Sequence, residues 1–235
     1  METILAVDLK KGKVVRAFAG FRLNYKPLKN TKYNLESPVN FINKVLTLFA
    51  ISKVYVADLD SIQNSGSNFD LISKLLNTFQ HLTFLIDNGF DYPKSVKTFC
   101  EKLKKKNLYN FIPVVGTENL RNYNFQSYKF LNKCFFSLDF NGSEKKWIRK
   151  MTKNKFKINL ILMFIKNTGG RGVKFKELKS VSRKLYLSNI FYAGGVKYWN
   201  QLNLLRMLGV NGVLISTLIV NKIRGTGLGP RESNS

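Results

Sequence analysis

The sequence has few of the residues on which several kinds of site depend. Its 235 residues include two cysteines and one histidine. Cys100 and Cys134 lack the spacing of metal ligands, which favours reduced structural thiols in a cytosol over a disulfide framework. His81 precedes an apolar run and is interpreted as structural, which removes a Ser-His-Asp triad and a multi-histidine metal site from consideration. Since no nicotinamide or flavin fingerprint occurs either, we expect neither a metal nor a cofactor.

Long hydrophobic runs are also missing. No apolar run approaches the roughly 18 residues that span a bilayer, and the longest, Leu160 to Ile165, is closed by Lys157 and Lys166. The N-terminus carries Glu2 and then Asp8, where a signal peptide would have a basic region and an apolar stretch. We therefore expect a cytoplasmic protein with no membrane partner.

Acidic residues are scarce, since 14 Asp and Glu stand against 39 Lys and Arg, for a formal charge of +25. Such a charge raises the question of nucleic-acid binding, because clustered cations displace counterions from phosphates. The positive residues are spread along the chain, however. The one compact cluster, Lys102 with Lys104 to Lys106, lies beside a predicted helix end, where cations are electrostatically favoured. We expect no nucleic-acid partner and interpret the basic surface as attracting anionic substrates in general.

What the sequence does contain is an alternation of apolar runs and helical segments. Near-continuous apolar runs suit parallel strands buried on both faces, and stretches of helical periodicity such as Phe41, Val45 and Leu48 lie between most of them. Eight such units in about 230 residues favour a single (β/α)8 TIM barrel over an open sheet. We expect the barrel over residues 1–224 and a flexible tail over residues 225–235. The runs are Ile4–Leu9, Val54–Leu59, Leu82–Ile86, Phe111–Val115, Phe135–Leu138, Leu160–Ile165, Ile190–Ala193 and Gly212–Ile215.

Polar residues and glycines follow the predicted strands at their carboxyl ends, where the active sites of such barrels are built. Short polar residues also cap a following helix at low cost, so a single one would mean little. Seven of the eight predicted strands carry them: Asp8, Asp58 with Asp60, Asp87, Gly116 with Thr117, Asp139, Gly194 with Gly195, and Ser216 with Thr217.

A faint twofold repeat relates the two halves of the chain. Its matching pairs occur in the same order along each half: Ile4–Leu9 with Phe135–Phe140, Asn88–Phe90 with Gly194–Val196, and Gly116–Thr117 with Ser216–Thr217. The repeat predicts a barrel built from two half-barrels. Such a barrel offers two related phosphate sites at opposite ends of a cleft, with one aspartate from each half, Asp8 and Asp139, between them.

Several motifs together resemble one known superfamily over nearly the whole chain, from Ile4 to about Val220. They are Val7–Arg16, Val56–Asp60, Val115–Glu118, Ser137–Asp139, and Ala193–Val196 followed by Leu208–Ile215. The superfamily contains the ProFAR isomerase of histidine biosynthesis and the cyclase subunit of imidazole glycerol phosphate synthase (HisA/HisF). Two further segments, Gly20–Leu28 and Thr117–Leu120, look closer to a side branch of isomerase-related proteins. Members of that branch often occur in organisms that make the tetrahydromethanopterin one-carbon cofactor.

The resemblance implies an Amadori rearrangement, in which an aminoaldose with a closed ribose ring becomes an aminoketose. That reaction needs an acid to protonate the ring oxygen and a base to remove the proton at the neighbouring carbon. By their match to the family's motif, Asp8 would be the general base and Asp139 the general acid. The alternative for each residue is a cap of a strand-to-helix loop.

The resemblance also implies phosphate binding, mainly in the second half of the chain. Gly194 and Gly195 would let backbone amides approach an anion, and Ser216 with Thr217 would open a turn whose free amides lie at a helix N-terminus. The alternative is that the glycines only form a tight turn. We expect a phosphorylated small molecule as the ligand.

The first-half loops depart from the isomerase pattern. Gly116 and Thr117 remain as candidate phosphate contacts, but Asp87-Asn88-Gly89 replaces the glycine-rich third-strand loop, and a carboxylate there would repel a phosphate. The sixth-strand loop, residues 167–172, also departs from the Asp-Gly-Thr type of the true isomerase. The remaining candidate ligand contacts are Arg16, Thr168, Gly170 and Arg171.

Some residues have two interpretations each. Asp58 and Asp60 could orient a lysine or a ribose hydroxyl, or only fix their loop. Asp87 with Asp58 could bind a divalent cation. Trp147 and Trp199 could stack on an imidazole, although packing is favoured for Trp199 because it lies in a helical stretch.

These observations favour an isomerase that needs no cofactor, and two rivals stay open. One is an enzyme of one-carbon cofactor biosynthesis, favoured by the segment with Arg22, Tyr25 and Pro27 and by the altered third-strand loop. The other is a non-catalytic subunit that keeps the scaffold and the second-half phosphate pocket. No oligomeric state is predicted.

Overall fold

The structure is a computed structural model that describes residues 1–29, 32–121, 124–128, 134–153, 157–185 and 188–225. The predicted flexible tail lies outside the described residues from position 226 onward. None of the helices in the described ranges is long and apolar enough to cross a membrane. Cys100 and Cys134 are free thiols.

Eight parallel strands within the described ranges close into a barrel. The strands follow one another around it in chain order, and the last pairs with the first through the register Glu2 to Gly212 and Leu5 to Ile215. The predicted (β/α)8 barrel is thereby confirmed, with strand bounds within two residues of the predicted ones. The strands are β1 (Glu2–Lys10), β2 (Lys53–Asp58), β3 (Thr83–Asp87), β4 (Phe111–Gly116), β5 (Phe135–Asp139), β6 (Asn159–Met163), β7 (Asn189–Ala193) and β8 (Gly212–Ile215).

The two-residue period of the strands divides the core into an inner and an outer layer. The inner layer fills the barrel with one face of each strand, for example Ile4, Tyr55 and Leu85. The outer layer packs the opposite faces, for example Val54 and Val56, against the helices. Because both faces are buried, the strand interiors are mainly apolar, which is why the sequence pattern found them.

Helices alternate with the strands around the barrel. Helix α1 buries Phe41, Ile42 and Val45, as its periodicity predicts, whereas the exposed Leu48 lies beyond its end. Between β4 and β5 the described residues include the 3-10 helix Phe125–Tyr128. The helices are α1 (Pro38–Leu46), α2 (Leu59–Ile62), α3 (Phe69–Thr78), α4 (Pro93–Lys104), α5 (Glu144–Met151), α6 (Phe175–Lys184), α7 (Asn200–Met207) and α8 (Thr217–Ile223).

The loop after β1 is larger than the sequence pattern predicts. A strand at Lys13–Arg16 pairs antiparallel with β1, and a short strand at Lys26–Pro27 pairs antiparallel with Lys13–Arg16 in turn. Between them lies the 3-10 helix Arg22–Asn24. This hairpin brings the β1 loop against the loop after β6, where Ala19 N donates to the Thr168 carbonyl at 3.2 Å.

Candidate active site

Three carboxylates project into the barrel at the carboxyl ends of their strands. Asp8 shares the inward face of β1 with Ile4 and Ala6, and Asp87 shares that of β3 with Leu85. Asp139 ends β5 on the face of Phe135. They line a cavity of about 60 Å³, here called the mouth, together with Arg22, Tyr25, Tyr55, Glu118 and Thr168.

The Asp8 carboxylate is half-buried, and within the described ranges no side-chain hydrogen bond reaches it. Burial raises the pKa of Asp8 to about 6, and the nearby Arg22 guanidinium opposes part of that rise. A carboxylate in this state is mostly ionised at neutral pH and free to accept a proton from a ligand.

Asp139 is held by a network that fixes its orientation. Its Oδ1 accepts from the Ser137 hydroxyl at 2.9 Å, and its Oδ2 accepts from the Thr117 hydroxyl at 3.0 Å and from Glu118 N at 2.9 Å. Burial and the Glu118 charge raise the pKa of Asp139 to about 6, while these hydrogen bonds favour the charged form. Thr117, predicted as a phosphate contact, is therefore engaged by Asp139.

Asp87 is the most strongly perturbed of the three. It accepts from the Tyr55 hydroxyl at 3.3 Å and from Gly89 N at 3.1 Å. Burial, followed by the charge of Asp139, raises the pKa of Asp87 to about 7. Gly116 lies between the two carboxylates, because a Cβ at that position would come within 3.2 Å of Asp87 Oδ2 and 3.4 Å of Asp139 Oδ2. The two groups consequently form a coupled pair.

A salt bridge crosses the mouth from the β1 loop to the β4 loop. The Arg22 guanidinium binds Glu118 through two hydrogen bonds, with Nη1 at 2.6 Å from Oε1. Lys10 Nζ donates to the Arg22 carbonyl at 2.6 Å. Tyr25 lies beside this bridge, where burial and the charge of Asp8 raise the pKa of its phenol.

A second cavity adjoins the mouth, and we call it the glycine pocket. It measures about 80 Å³, and its lining shares Asp8, Tyr55, Met163 and Thr168 with the mouth. The structure here brings together the predicted contacts Thr168, Gly194, Gly195, Ser216 and Thr217 of the second half with Arg16 of the first half.

The glycines of this pocket also have a packing role. Gly195 has a φ of +85°, and a Cβ there would lie 2.0 Å from the Gly172 carbonyl oxygen. The β6 and β7 loops can therefore touch only because residue 195 is glycine. Within the described ranges, the amide N–H groups of Gly194 and Gly195 donate no hydrogen bond. The tight turn that the alternative interpretation proposed thus exists, and it leaves two amide donors free.

Gly170 and Arg171, at the end of the β6 loop, contact different parts of the molecule. Gly170 packs toward Thr217, since a Cβ there would lie 3.2 Å from Thr217 Cγ2. Arg171 is exposed and stacks over the Phe18 ring at 5.7 Å. It lines an outer cavity of about 460 Å³ that adjoins the mouth through Arg22, Glu118 and Ile165.

Asp58 and Asp60 lie outside the barrel interior. Asp58 shares the outward face of β2 with Val54 and Val56, and it accepts from Ser61 and Asn68, with Asn68 Nδ2 at 2.6 Å. Asp60 accepts from Lys11 N at 2.6 Å. These contacts favour the loop-fixing interpretation of both residues.

Asp58 and Asp87 therefore lie on opposite faces of the sheet. Among the described residues, no three His, Cys, Asp or Glu side chains are grouped to hold a metal ion. The two tryptophans pack against other aromatic residues. Trp147 is buried in α5 against Phe125, and Trp199 stacks on Phe49 at 5.7 Å. His81 is exposed beside Phe79 at the amino end of β3.

Four of the polar residues named in the mouth, Arg22, Tyr25, Tyr55 and Glu118, were not predicted as site residues. Tyr55 belongs to an apolar run and could have been found from its two-residue spacing to Ala57 on the inward face. Arg22 and Glu118 lie in segments singled out by resemblance alone, and their pairing across 96 positions has no local signal in the sequence.

Fold and site together define a (β/α)8-barrel protein with a carboxylate-lined mouth next to a glycine-lined pocket. The chain belongs to the family described as "Histidine biosynthesis protein", which matches residues 2–223. The family resemblance drawn from the motifs is thereby confirmed. The chain is also similar to a protein of Methanocaldococcus jannaschii that is itself described as uncharacterized. The two are 28% identical over 223 residues, which cover 93% of each chain.

Proposed function

We propose that this protein is an acid–base isomerase that binds a phosphorylated sugar-type metabolite and converts an aminoaldose into an aminoketose. The observation that carries the proposal is the arrangement of Asp8, Asp87 and Asp139. Three inward carboxylates share one small cavity, and their pKa values of about 6 and about 7 bracket the range in which one group accepts a proton while another still holds one.

In the proposed reaction, Asp139 with its coupled neighbour Asp87 supplies the proton for the ring oxygen. The ring C–O bond breaks with its electron pair on that oxygen, and the nitrogen lone pair forms a C=N bond at C1. Asp8 then removes the proton from C2, and the C–H electrons form the C1=C2 bond of an enaminol. Loss of the C2 hydroxyl proton and gain of a proton at C1 complete the aminoketose, with no net gain or loss of electrons.

The glycine pocket would hold the phosphate of the substrate. The free amides of Gly194 and Gly195 supply donors, and the exposed Arg16 supplies a positive charge at the pocket edge. Asp8 lines both this pocket and the mouth. A phosphate bound in the pocket would therefore place the carbons of the same ligand beside the base and the acid.

A second candidate is a reaction of tetrahydromethanopterin or one-carbon cofactor biosynthesis. The two segments that resemble the isomerase-related side branch, Gly20–Leu28 and Thr117–Leu120, contact one another through the bridge between Arg22 and Glu118. Both segments thus contribute to the lining of the mouth. This placement supports a substrate other than that of the histidine pathway.

The test replaces each proposed proton-transfer residue by its amide. Asp8→Asn and Asp139→Asn keep size and hydrogen bonding, so turnover should fall by roughly 10²- to 10⁴-fold while ligand affinity changes little. Asp70→Asn, at an exposed aspartate of α3, serves as the matched control. Substrates to assay are aminoaldose phosphates first and phosphorylated pterin or furan precursors next.

One outcome would replace the enzyme by a binding protein. If the wild type binds a phosphorylated ligand in calorimetry yet turns none over, and both Asn variants bind it equally well, the carboxylates are loop caps. The protein would then be a non-catalytic subunit with a phosphate pocket.

A further inference from the structure

The two ends of the cleft differ in the state of their hydrogen-bond donors. In the first half, Gly89 N donates to Asp87 at 3.1 Å, and Glu118 N donates to Asp139 at 2.9 Å. The Thr117 hydroxyl also donates to Asp139, at 3.0 Å. Three donors that could cradle an anion at this end are thus engaged by carboxylates of the protein itself.

The second half has the opposite arrangement. Gly194 and Gly195 occupy the place in the repeat that Asn88 and Gly89 occupy in the first half. Their amides have no acceptor within the described ranges. At the glycine pocket, the two amides therefore lack an acceptor in the described part of the chain. At the mouth, the corresponding space holds the protein's own carboxylates.

A phosphate at the first-half end would meet strong repulsion. Asp87, Asp139 and Glu118 all line the mouth, and carboxylates within a few ångströms disfavour another anion. Arg22 is the cation of the mouth lining, and its guanidinium is already bound to Glu118 at both oxygens. A second phosphate would have to break that bridge to gain a counter-charge.

We infer that the substrate carries a single phosphate, bound in the glycine pocket, and presents hydroxyl or amine donors to Asp87 and Asp139. This inference rests on the proposed function and narrows its substrate class, since it excludes sugar bisphosphates with a phosphate at each end. The carboxylates of β3 and β5 accept hydrogen bonds from donors at that end, where a bisphosphate would offer only further acceptors.

The test compares two probes that differ by one phosphate. Calorimetry should show ribose 5-phosphate binding the wild type with one site per chain, and ribose 1,5-bisphosphate binding at least about tenfold more weakly. Asp87→Asn removes one repelling charge and should reduce the difference in affinity between the two probes by several-fold. Asp70→Asn, at an exposed residue, should leave that difference in affinity unchanged. Circular dichroism checks that both variants are folded. The comparison of the two probes on the wild type does not require either variant.

The possible failures are distinguishable. Equal or tighter binding of the bisphosphate to the wild type would overturn this inference and leave the proposed isomerase intact. Binding of neither probe would contradict the phosphate pocket on which both the inference and the proposed function depend.

Discussion

At the scale of single residues, the mouth gives similar carboxylates different proton affinities. Among the described residues no side-chain hydrogen bond reaches the Asp8 carboxylate, which lies near Arg22, whereas Asp87 lies beside Asp139 with the Tyr55 hydroxyl and one amide as partners. The pKa of Asp8 is about 6 and that of Asp87 about 7. Environment, and not residue type, thus sets the order of proton affinities on which the proposed base and acid roles depend.

This difference predicts a bell-shaped pH dependence of kcat/KM. Activity should rise as pH increases through about 6, where Asp8 loses its proton, and fall above about 7, where the Asp87 and Asp139 pair loses its own. Asp87→Asn should move the alkaline limb and leave the acidic limb in place. Steady-state rates between about pH 5 and pH 9 measure both limbs, and a profile that is flat over this range would contradict the assignment.

The raised pKa of Asp87 also predicts a stability effect. A group whose pKa is higher in the folded state stabilises the fold at low pH, and that contribution is lost as pH rises through the folded value of about 7. Asp87→Asn should therefore increase the free energy of unfolding at alkaline pH, on the order of 3 kcal/mol, and change it little near pH 4. Urea denaturation at the two pH values measures this, with Asp70→Asn as the control. A variant less stable than the wild type at alkaline pH would refute it.

Sequence alone could predict the carboxylates of the mouth but not their partners. Asp8 lies near the end of its apolar run, and Asp87 and Asp139 directly follow theirs, so each is marked by a local signal in the sequence. Whether Asp87 faces Asp139 depends on strand pairing, because Gly116 on the intervening strand brings the two together. The sequence pattern also places Asp58 at the end of β2. Asp58 does not line the mouth because it lies on the outward face of that strand, with Val54 and Val56.

At the scale of elements, the glycine pocket depends on contact between the β6 and β7 loops. Gly172 N donates to the Gly195 carbonyl at 3.0 Å, and Asn167 Nδ2 donates to the Gly172 carbonyl at 3.1 Å. Ala19 of the β1 loop bonds to Thr168 of the β6 loop. Three loops therefore hold one another in the arrangement that places Thr168, Gly194 and Gly195 in the lining of the pocket.

Gly195→Ala tests this dependence. Its Cβ would lie 2.0 Å from the backbone oxygen of Gly172, so the loops must move apart. We expect a loss of phosphate affinity of tenfold or more together with a lowered Tm. Gly209→Ala is the matched control, because that glycine also has a positive φ, of +76°, but no neighbour within 4 Å of its added Cβ. It should cost only about 1 kcal/mol of backbone strain. Equal effects of the two variants would show that the loop contact is unimportant.

Sequence predicted the barrel strands well and the loops poorly. Strands buried on both faces leave unbroken apolar runs, and Gly212–Ile215 was even bounded correctly. The antiparallel strands Lys13–Arg16 and Lys26–Pro27 are short and partly exposed, so they leave no comparable run. The β1 hairpin that brings Arg22 over the mouth therefore had to be seen in the structure.

At the scale of the whole molecule, the charges of surface and mouth have opposite signs. The chain carries +25 overall, whereas Asp8, Asp87, Glu118 and Asp139 all line the mouth. A positive surface attracts an anionic ligand over a distance of about the Debye length. Under the proposed function, the acidic mouth would favour a ligand that enters the glycine pocket with its phosphate and turns its hydroxyls or amines toward the carboxylates.

The surface charge predicts that association is sensitive to salt. For a phosphorylated substrate, kcat/KM should fall several-fold as ionic strength rises from about 0.02 M to about 0.3 M, because screening weakens the long-range attraction. The kcat should change little, since the Asp87 and Asp139 carboxylates of the mouth are buried and salt screens buried groups much less. Stopped-flow or steady-state rates at the two salt concentrations measure the effect. A kcat/KM independent of salt would contradict the role of the basic surface.

The most direct test is a crystal structure of the protein soaked with ribose 5-phosphate. The phosphate should lie within hydrogen-bonding distance of the Gly194 and Gly195 amides, with the sugar carbons beside Asp8 and its hydroxyls toward Asp87 and Asp139. That arrangement would place a single ligand between the anion site, the base and the acid. A phosphate bound instead at Gly89 and Thr117, with the glycine pocket holding no ligand, would contradict the proposed site.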